Sequence, residues 1–171
     1  MADIKLDSFK AQLKSGVKPN RFWVTVYGAQ GGASWREQPF SFLIKSFSIP
    51  DRTIGEISVN YQGQVQKIAG DMTVSDVSMT CHMDQKMDIK TYFETWMDGI
   101  ANMDTNVRTD PEFYQASIQV EQLDGVGGTV KAWELTGAWP KQMNAIEVSH
   151  DNTDTLEDLS IDFAITSWRS F

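Results

Sequence analysis

One cysteine, Cys81, stands in the whole chain, so no intramolecular disulfide can form. The histidines are two, His82 and His150, and neither lies in a ligand-spaced motif, so no zinc site is expected. No apolar run approaches the roughly 20 residues of a membrane span. Residues 1–18 carry charges throughout, where a secretory signal would have an apolar segment. These absences predict a soluble protein with no stable membrane association that needs no oxidation to fold. Positive charge is also scarce, with 15 Lys and Arg against 23 Asp and Glu and a net charge of −8. Proteins that grip nucleic acid need clustered Lys and Arg, so phosphate binding is excluded as the purpose of this surface. A phosphate cradle is missing too: Gly28–Gly32 follows a strand pattern, but no helix follows it. No internal repeat or low-complexity segment breaks the chain.

What is present is apolar patterning of period two. The 171 residues are 41% apolar and include six Trp, enough for one packed domain over 1–171. The stretch from Trp133 to Trp168 shows the pattern best. Leu159, Ile161, Phe163 and Ile165 alternate with Asp158, Ser160, Asp162, Ala164 and Thr166, which predicts a strand with one buried and one wet face. That wet face is acidic and small, with no lysine of its own. A shorter strand before it, over Val130–Ala138, is expected to stop at Pro140, which has no N–H for a ladder.

Earlier strands are predicted at Arg21–Tyr27 and Phe40–Phe47, which make an antiparallel pair by default. Others follow at Thr73–Met83, with Val77, Met79, Cys81 and Met83 inward, and at Phe113–Leu123, with Tyr114, Ala116, Ile118 and Val120 inward. Asp124-Gly125 marks a hairpin turn. One helix is predicted, about Lys86–Ile100, capped by Asp84 or Asp88. Ile89, Phe93, Trp96 and Ile100 form its apolar stripe. Leu6, Phe9 and Leu13 allow a short helix in an N-terminal arm, residues 1–19. Residues 51–71 have strand propensity without a clean inward face. They suit a long protruding hairpin turning near Gln62-Gly63, too poor in apolar surface to be stable alone. With six or seven strands and little room for crossover helices, the fold is expected to be mainly β: an antiparallel β-sandwich or barrel with one flanking α-helix.

Chemistry is hard to find. Cys81 lies on an apolar face and reads as a buried, inert thiol. The acidic run Asp151, Asp154, Glu157, Asp158 does not have calcium-loop spacing. Glu94 and Asp98, one helical turn apart, read as a wet helix face. A hydrolase built on Glu94, Asp98 or His150 has no motif behind it. A monomeric ligand-binding barrel is the other alternative, but pockets are lined mainly by apolar side chains, unlike the acidic-small alternation here. Several Trp fall on polar strand faces or near strand ends, and Trp is enriched at interfaces. No enzyme activity and no cofactor are expected; a subunit with self-adhesive surfaces is.

The order of these features resembles the tail tube proteins of contractile-tailed bacteriophages, the T4-type tube subunits. The matching residues are Lys18-Pro19-Asn20-Arg21-Phe22, Phe47-Ser48-Ile49-Pro50, Tyr92-Phe93-Glu94-Thr95-Trp96, Gly137-Ala138-Trp139-Pro140 and Ser167-Trp168. The resemblance implies a virion protein assembled in the host cytoplasm. Six copies would form a ring whose inner strands join into one β-barrel, and rings would stack into a tube. Its partners would be itself, the tail sheath protein, baseplate and tube-terminator proteins, the tape measure protein in the lumen, and viral DNA in transit. Related tubes of pyocins and type VI secretion share the fold, and remain the alternative device. Lumen-facing candidates are then Asp158, Ser160, Asp162 and Thr166, with Ser78, Thr80, His82, Ser117, Gln119 and Glu121. Inter-subunit candidates are Ile54, Ile57, Val59, Tyr61, Val65 and Ile68 in the hairpin. Lys86, Lys90, Glu94 and Asp98 would face the sheath.

Overall fold

A computed structural model describes residues 10, 13, 16–28, 39–105, 107–146, 148–149, 151 and 155–171. Leu6, Phe9, all of the Gly28–Gly32 segment after Gly28, His150 and Asp154 lie outside the described residues. The strands are β1 (Phe22–Tyr27), β2 (Ile44–Phe47), β3 (Arg52–Tyr61), β4 (Gln64–Val74), β5 (Val77–His82), β6 (Ala116–Leu123), β7 (Thr129–Met143), β8 (Asp158–Ala164) and β9 (Ser167–Ser170). Helix α1 spans Asp88–Ile100, and a one-turn helix α2 spans Pro111–Tyr114.

Strand order is β1-β6-β7-β8-β5-β2, with β9 also on β7 and β3–β4 forming a separate two-stranded sheet. Every pairing is antiparallel. The long strand β7 belongs to both halves: its first part pairs with β6 and β9, its second with β8. The expected stop at Pro140 is therefore wrong. Pro140 lies within β7 opposite Phe163, just before a bulge. The reason is local: the β6 pairing ends at Ala138, so Pro140 has a neighbour on one side only and its missing donor leaves no ladder bond unmade.

The expected β1–β2 pair does not form either. β1 pairs with β6 and β2 with β5, and the residues before β2, Pro39–Leu43, form a 3-10 turn. That turn carries the chain from one half of the fold to the other. Phe40 enters the core, Phe42 stays exposed edge-on against Trp23, and the Ser41 hydroxyl donates to the Val24 carbonyl at 2.8 Å. Thr73 and Val74 belong to the hairpin, not to β5, and Phe113 and Tyr114 to α2, not to β6.

Alternation places the core as predicted. Val24, Val26, Val77, Met79, Cys81, Ile118, Val120, Leu135, Leu159, Ile161 and Phe163 join one buried cluster with Ile89, Phe93 and Trp96 of α1. Phe93 stacks on Trp96 and meets Phe163 edge-on, and the Trp96 indole N–H donates to the Tyr114 carbonyl at 2.9 Å. The helix starts at Asp88, two residues later than expected, so Lys86 lies in the preceding turn. Neither Asp84 nor Asp88 is its N-cap: that position is Met87, in a left-handed conformation. The Asp84 carboxylate instead accepts the backbone N–H groups of Lys86 and Ile89 at 3.1 and 3.5 Å.

One bend joins the two halves. At Gly137, φ is +66°, and a β-carbon there would lie 2.4 Å from the Thr166 hydroxyl oxygen. Opposite it the alternating strand breaks at Ile165-Thr166 and resumes as β9, which keeps β8's register along β7. The inward faces of both halves converge on one core, so their outward faces diverge.

Candidate functional site

Two surfaces outside the core hold most of the candidate residues. The first is the wet face of β5 and β8. Antiparallel register sets Ser78 opposite Asp162, Thr80 opposite Ser160 and His82 opposite Asp158. The Thr80 and Ser160 hydroxyls are 3.2 Å apart, and His82 Nδ1 lies 2.6 Å from Asp158 Oδ1. Lys45 Nζ reaches the other Asp158 oxygen at 2.5 Å. Asp158 is thus held on both sides. The hydrogen bond from Lys45, followed by that from His82, keeps its carboxyl below the ordinary Asp range, against the opposing effect of partial desolvation.

Lys141 makes a second compensating pair, 2.6 Å from Asp76, and that hydrogen bond holds its ammonium above the ordinary Lys range, with Asp162 adding to the field. The acidic face read from β8 alone therefore carries two lysines brought by its neighbours. Both come from bulges, Lys45 between the paired Ile44 and Ser46, and Lys141 between the paired Pro140 and Gln142. An extra residue at a bulge turns a side chain out of alternation, which is why the period-two pattern could not reveal them.

The other proposed lumen residues do not join this group. Ser117, Gln119 and Glu121 lie on β6, opposite Tyr27, Thr25 and Trp23 of β1. Gln119 donates to Glu121 at 2.9 Å, and the same outward face carries the Arg169–Glu134 ion pair of β9 and β7. Thr166 lies at the corner between β8 and β9, its N–H donating to the Thr136 carbonyl at 3.1 Å.

The second surface is the hairpin β3–β4, which turns through Gln62 and Gly63, both at positive φ (47° and 82°). This is the mirror-type turn whose twist suits a hairpin. All ten residues of β3 are exposed. Its register supplies the face that the sequence alone did not. Ile57 opposes Ile68, Val59 opposes Gln66 and Tyr61 opposes Gln64, so Ile57, Val59, Tyr61 and Ile68 share one side. Glu56, Ser58, Asn60, Lys67 and Val65 share the other, where Lys67 pairs with Glu56 at 3.0 Å. Ile54 and Val65, grouped with the apolar residues in the sequence reading, project from this polar side.

On α1, Lys90 and Glu94 form an i,i+4 pair at 3.5 Å, and Glu94 and Asp98 point to solvent. Among the described residues no three His, Cys, Asp or Glu side chains are grouped to hold a metal ion. Burial, with a smaller contribution from Asp158, pushes the Cys81 thiol up to about 12, which leaves no thiolate for nucleophilic work.

Residues 9–170 match the family model described as phage tail tube protein. Over 168 residues the chain is 25% identical to the tail tube protein gp19 of Enterobacteria phage T4, covering 96% of this chain and 99% of that one. It is likewise 25% identical over 150 residues to the tail tube protein of Serratia phage KSP90, covering 86% and 85%. In fold it is similar to a chain of an extracellular contractile injection system sheath–tube complex in the extended state (TM-score 0.65, 13% identity, 99% of both chains). It is also similar to a chain of the anti-feeding prophage baseplate (TM-score 0.68, 12% identity, 89% and 93%).

Proposed function

This chain belongs to the phage tail tube protein family, as a structural component of the virion and not an enzyme, and from that premise we propose how it builds its tube. Six copies close into a ring, and rings stack into a hollow cylinder. The observation that carries this reading is the hairpin β3–β4, in which no residue is buried and Ile57, Val59, Tyr61 and Ile68 lie exposed on one side. A lone two-stranded ribbon is marginal in water, and an apolar face with free strand edges invites another chain. Burying that face against the next copy satisfies both needs, and leaves the polar side with Ile54 and Val65 toward the rim of the contact.

The β5–β8 face, with Ser78, Thr80, His82, Asp158, Ser160 and Asp162, lines the lumen. The outward face of β6, with Ser117, Gln119 and Glu121, diverges from it across the β7 bend and leaves the wall, as does Thr166. DNA and the tape measure protein occupy the channel. The wall repels phosphate less than its carboxylates alone would imply. It avoids gripping phosphate because Lys45 and Lys141 are already tied to Asp158 and Asp76. Sheath subunits dock on the outer surface through Lys86, Lys90, Glu94 and Asp98, with terminator and baseplate proteins at the two tube ends. The sheath–tube and baseplate assemblies that contain chains of this fold support those partners. Electron microscopy of the purified full-length protein tests the reading. Rings or tubes are expected, and a protein that stays monomeric at high concentration and in the presence of baseplate would refute it.

A further inference from the structure

We infer that Trp168 and Arg52 form a latch that sets the angle of the hairpin and so decides whether a subunit can join a ring. The hairpin is otherwise free. From Thr53 to Val74, no hydrogen bond runs from it to the body among the described residues, and β3 and β4 pair only with each other. Its direction is therefore set at its two feet. The second foot runs straight into β5 and is braced by Asp76–Lys141. At the first foot, Ser48 exchanges bonds with Ser78: its N–H donates to the Ser78 carbonyl at 2.9 Å, and its hydroxyl accepts the Ser78 N–H at 2.6 Å. Three residues later, at Asp51, the chain meets Trp168. The indole N–H donates to the Asp51 carbonyl at 3.3 Å, and the Arg52 guanidinium lies over the same ring, 4.7 Å from its centroid.

Trp168 is suited to hold a lever. It packs against the buried core and stands opposite Leu135 in the β7–β9 register, so the ring is fixed to the body. Asp51 and Arg52 grip it from two directions, one through a directional hydrogen bond and one through a cation over the ring face. Two constraints at adjacent residues fix a direction where one would leave a swivel. β3 is ten residues long and starts at the latch residue Arg52, and a strand rises about 3.3 Å per residue. A swing of about 20° at the foot then moves the tip by roughly 10 Å, more than the width of a strand, and would misalign the apolar face. Holding that angle in the free subunit removes an ordering cost that assembly would otherwise carry. Arg52 and Trp168 are thus positioning residues for assembly. The inference rests on the hairpin being an inter-subunit arm.

Spin labels at Gln64→Cys on β4 and Val126→Cys on the β6–β7 turn, with native Cys81 buried, report the hairpin angle in the dilute monomer. The wild-type background should give a narrow distance distribution. Arg52→Gln, at an exposed side chain, should broaden it, and Trp168→Phe, which keeps the ring but loses the N–H, should broaden it too. Arg52→Lys should restore most of the sharpness. In assembly, Arg52→Gln should raise the concentration needed for rings by about tenfold, with its melting temperature unchanged. A distribution as narrow as wild type in both variants overturns the latch. So does a fall in melting temperature that accounts for the lost assembly, since Arg52 would then be a fold residue. A narrow wild-type distribution in a protein that never forms rings supports the latch and refutes the hairpin as an inter-subunit arm.

Discussion

Gly137→Ala should be the most damaging single-methyl change in this chain. Two effects add at that position. The backbone is left-handed, with φ +66°, where a residue with a β-carbon loses roughly 1–2 kcal/mol. The new methyl would also lie 2.4 Å from Thr166 Oγ1 and 2.9 Å from Thr166 Cβ. Threonine is stiff at χ1, so it cannot swing clear without moving the corner between β8 and β9. Overpacking that forces backbone shifts costs about 1–3 kcal/mol. The total is about 2–5 kcal/mol, or roughly 10 °C in melting temperature for a chain of this size. Denaturant unfolding of the dilute monomer is the assay: the midpoint should fall while the slope stays constant, as for a change in native stability alone. The second background, Thr166→Gly, separates the two effects. There the clash vanishes and only the backbone strain remains, so Gly137→Ala should cost about 1–2 kcal/mol. A cost under about 0.5 kcal/mol in the wild-type background, or the same large cost in both, would refute the account of the bend.

The two faces of the hairpin should separate cleanly. Ile57→Asp should leave the monomer's melting temperature intact and raise the concentration needed for rings by about a hundredfold, the equivalent of losing roughly 3 kcal/mol of apolar burial. Val65→Asp, on the polar side, should shift it by less than about tenfold, and equal effects in light scattering would break the face assignment. Asp158 stabilises through a carboxyl whose affinity for protons is lowered by Lys45 and His82. Its contribution is complete above about pH 3.9 and is lost as pH falls through the lower folded-state value. Asp158→Asn should cost about 1 kcal/mol or less at neutral pH and flatten the acid limb of stability below about pH 3.9, seen in melts along that limb. Cys81, its thiol raised to about 12 by burial, should resist thiol reagents at pH 8 until the protein unfolds; reaction at the rate of a free thiol would contradict its burial. Asp162→Lys, beside Lys141 on the proposed wall, should leave tubes intact and slow genome delivery, and unchanged delivery would count against that face as the lumen.

The core was legible because alternation is a direct consequence of pleat geometry. Leu159, Ile161 and Phe163, Val77, Met79 and Cys81, and Ile118 and Val120 are all buried as their spacing demands. The turn at Gln62-Gly63 and the apolar stripe Ile89, Phe93, Trp96 were legible for similar local reasons. Partnership was not. Nothing in Arg21–Tyr27 states that its neighbour is β6, which pairs with it from Phe22↔Gln122 to Tyr27↔Ser117, far along the chain, and adjacency in sequence wrongly proposed β2. Pro140 misled because its cost depends on how many neighbours a strand has at that point, which is a property of the sheet. The hairpin's apolar side was hidden because Ile54 and Val65 are apolar residues on its polar face. Only the cross-strand register sorts them.

The positions that escaped the sequence pattern share a physical origin, and it bears on what the subunit does. A regular strand can offer a channel only what its own alternation carries, and β8 offers carboxylates and hydroxyls. Lys45 and Lys141 are added at bulges in the strands flanking β5 and β8, and each ties down a carboxylate. Placed in register, a lysine would have faced a pairing partner across the ladder, with its ammonium set by strand geometry. Placed in a bulge, it reaches along the face to Asp158 or Asp76 and is spent there. Repeated around a ring and along a tube, that difference is large. Free lysines at each repeat would bind phosphates by counterion release, with affinity growing with every contact, while bare carboxylates at each repeat would repel the subunits' own faces. Pairing within each subunit suppresses both, so on the proposed wall the interaction with a polyanion would rest chiefly on Asp162, the carboxylate of this face with no ion pair among the described residues.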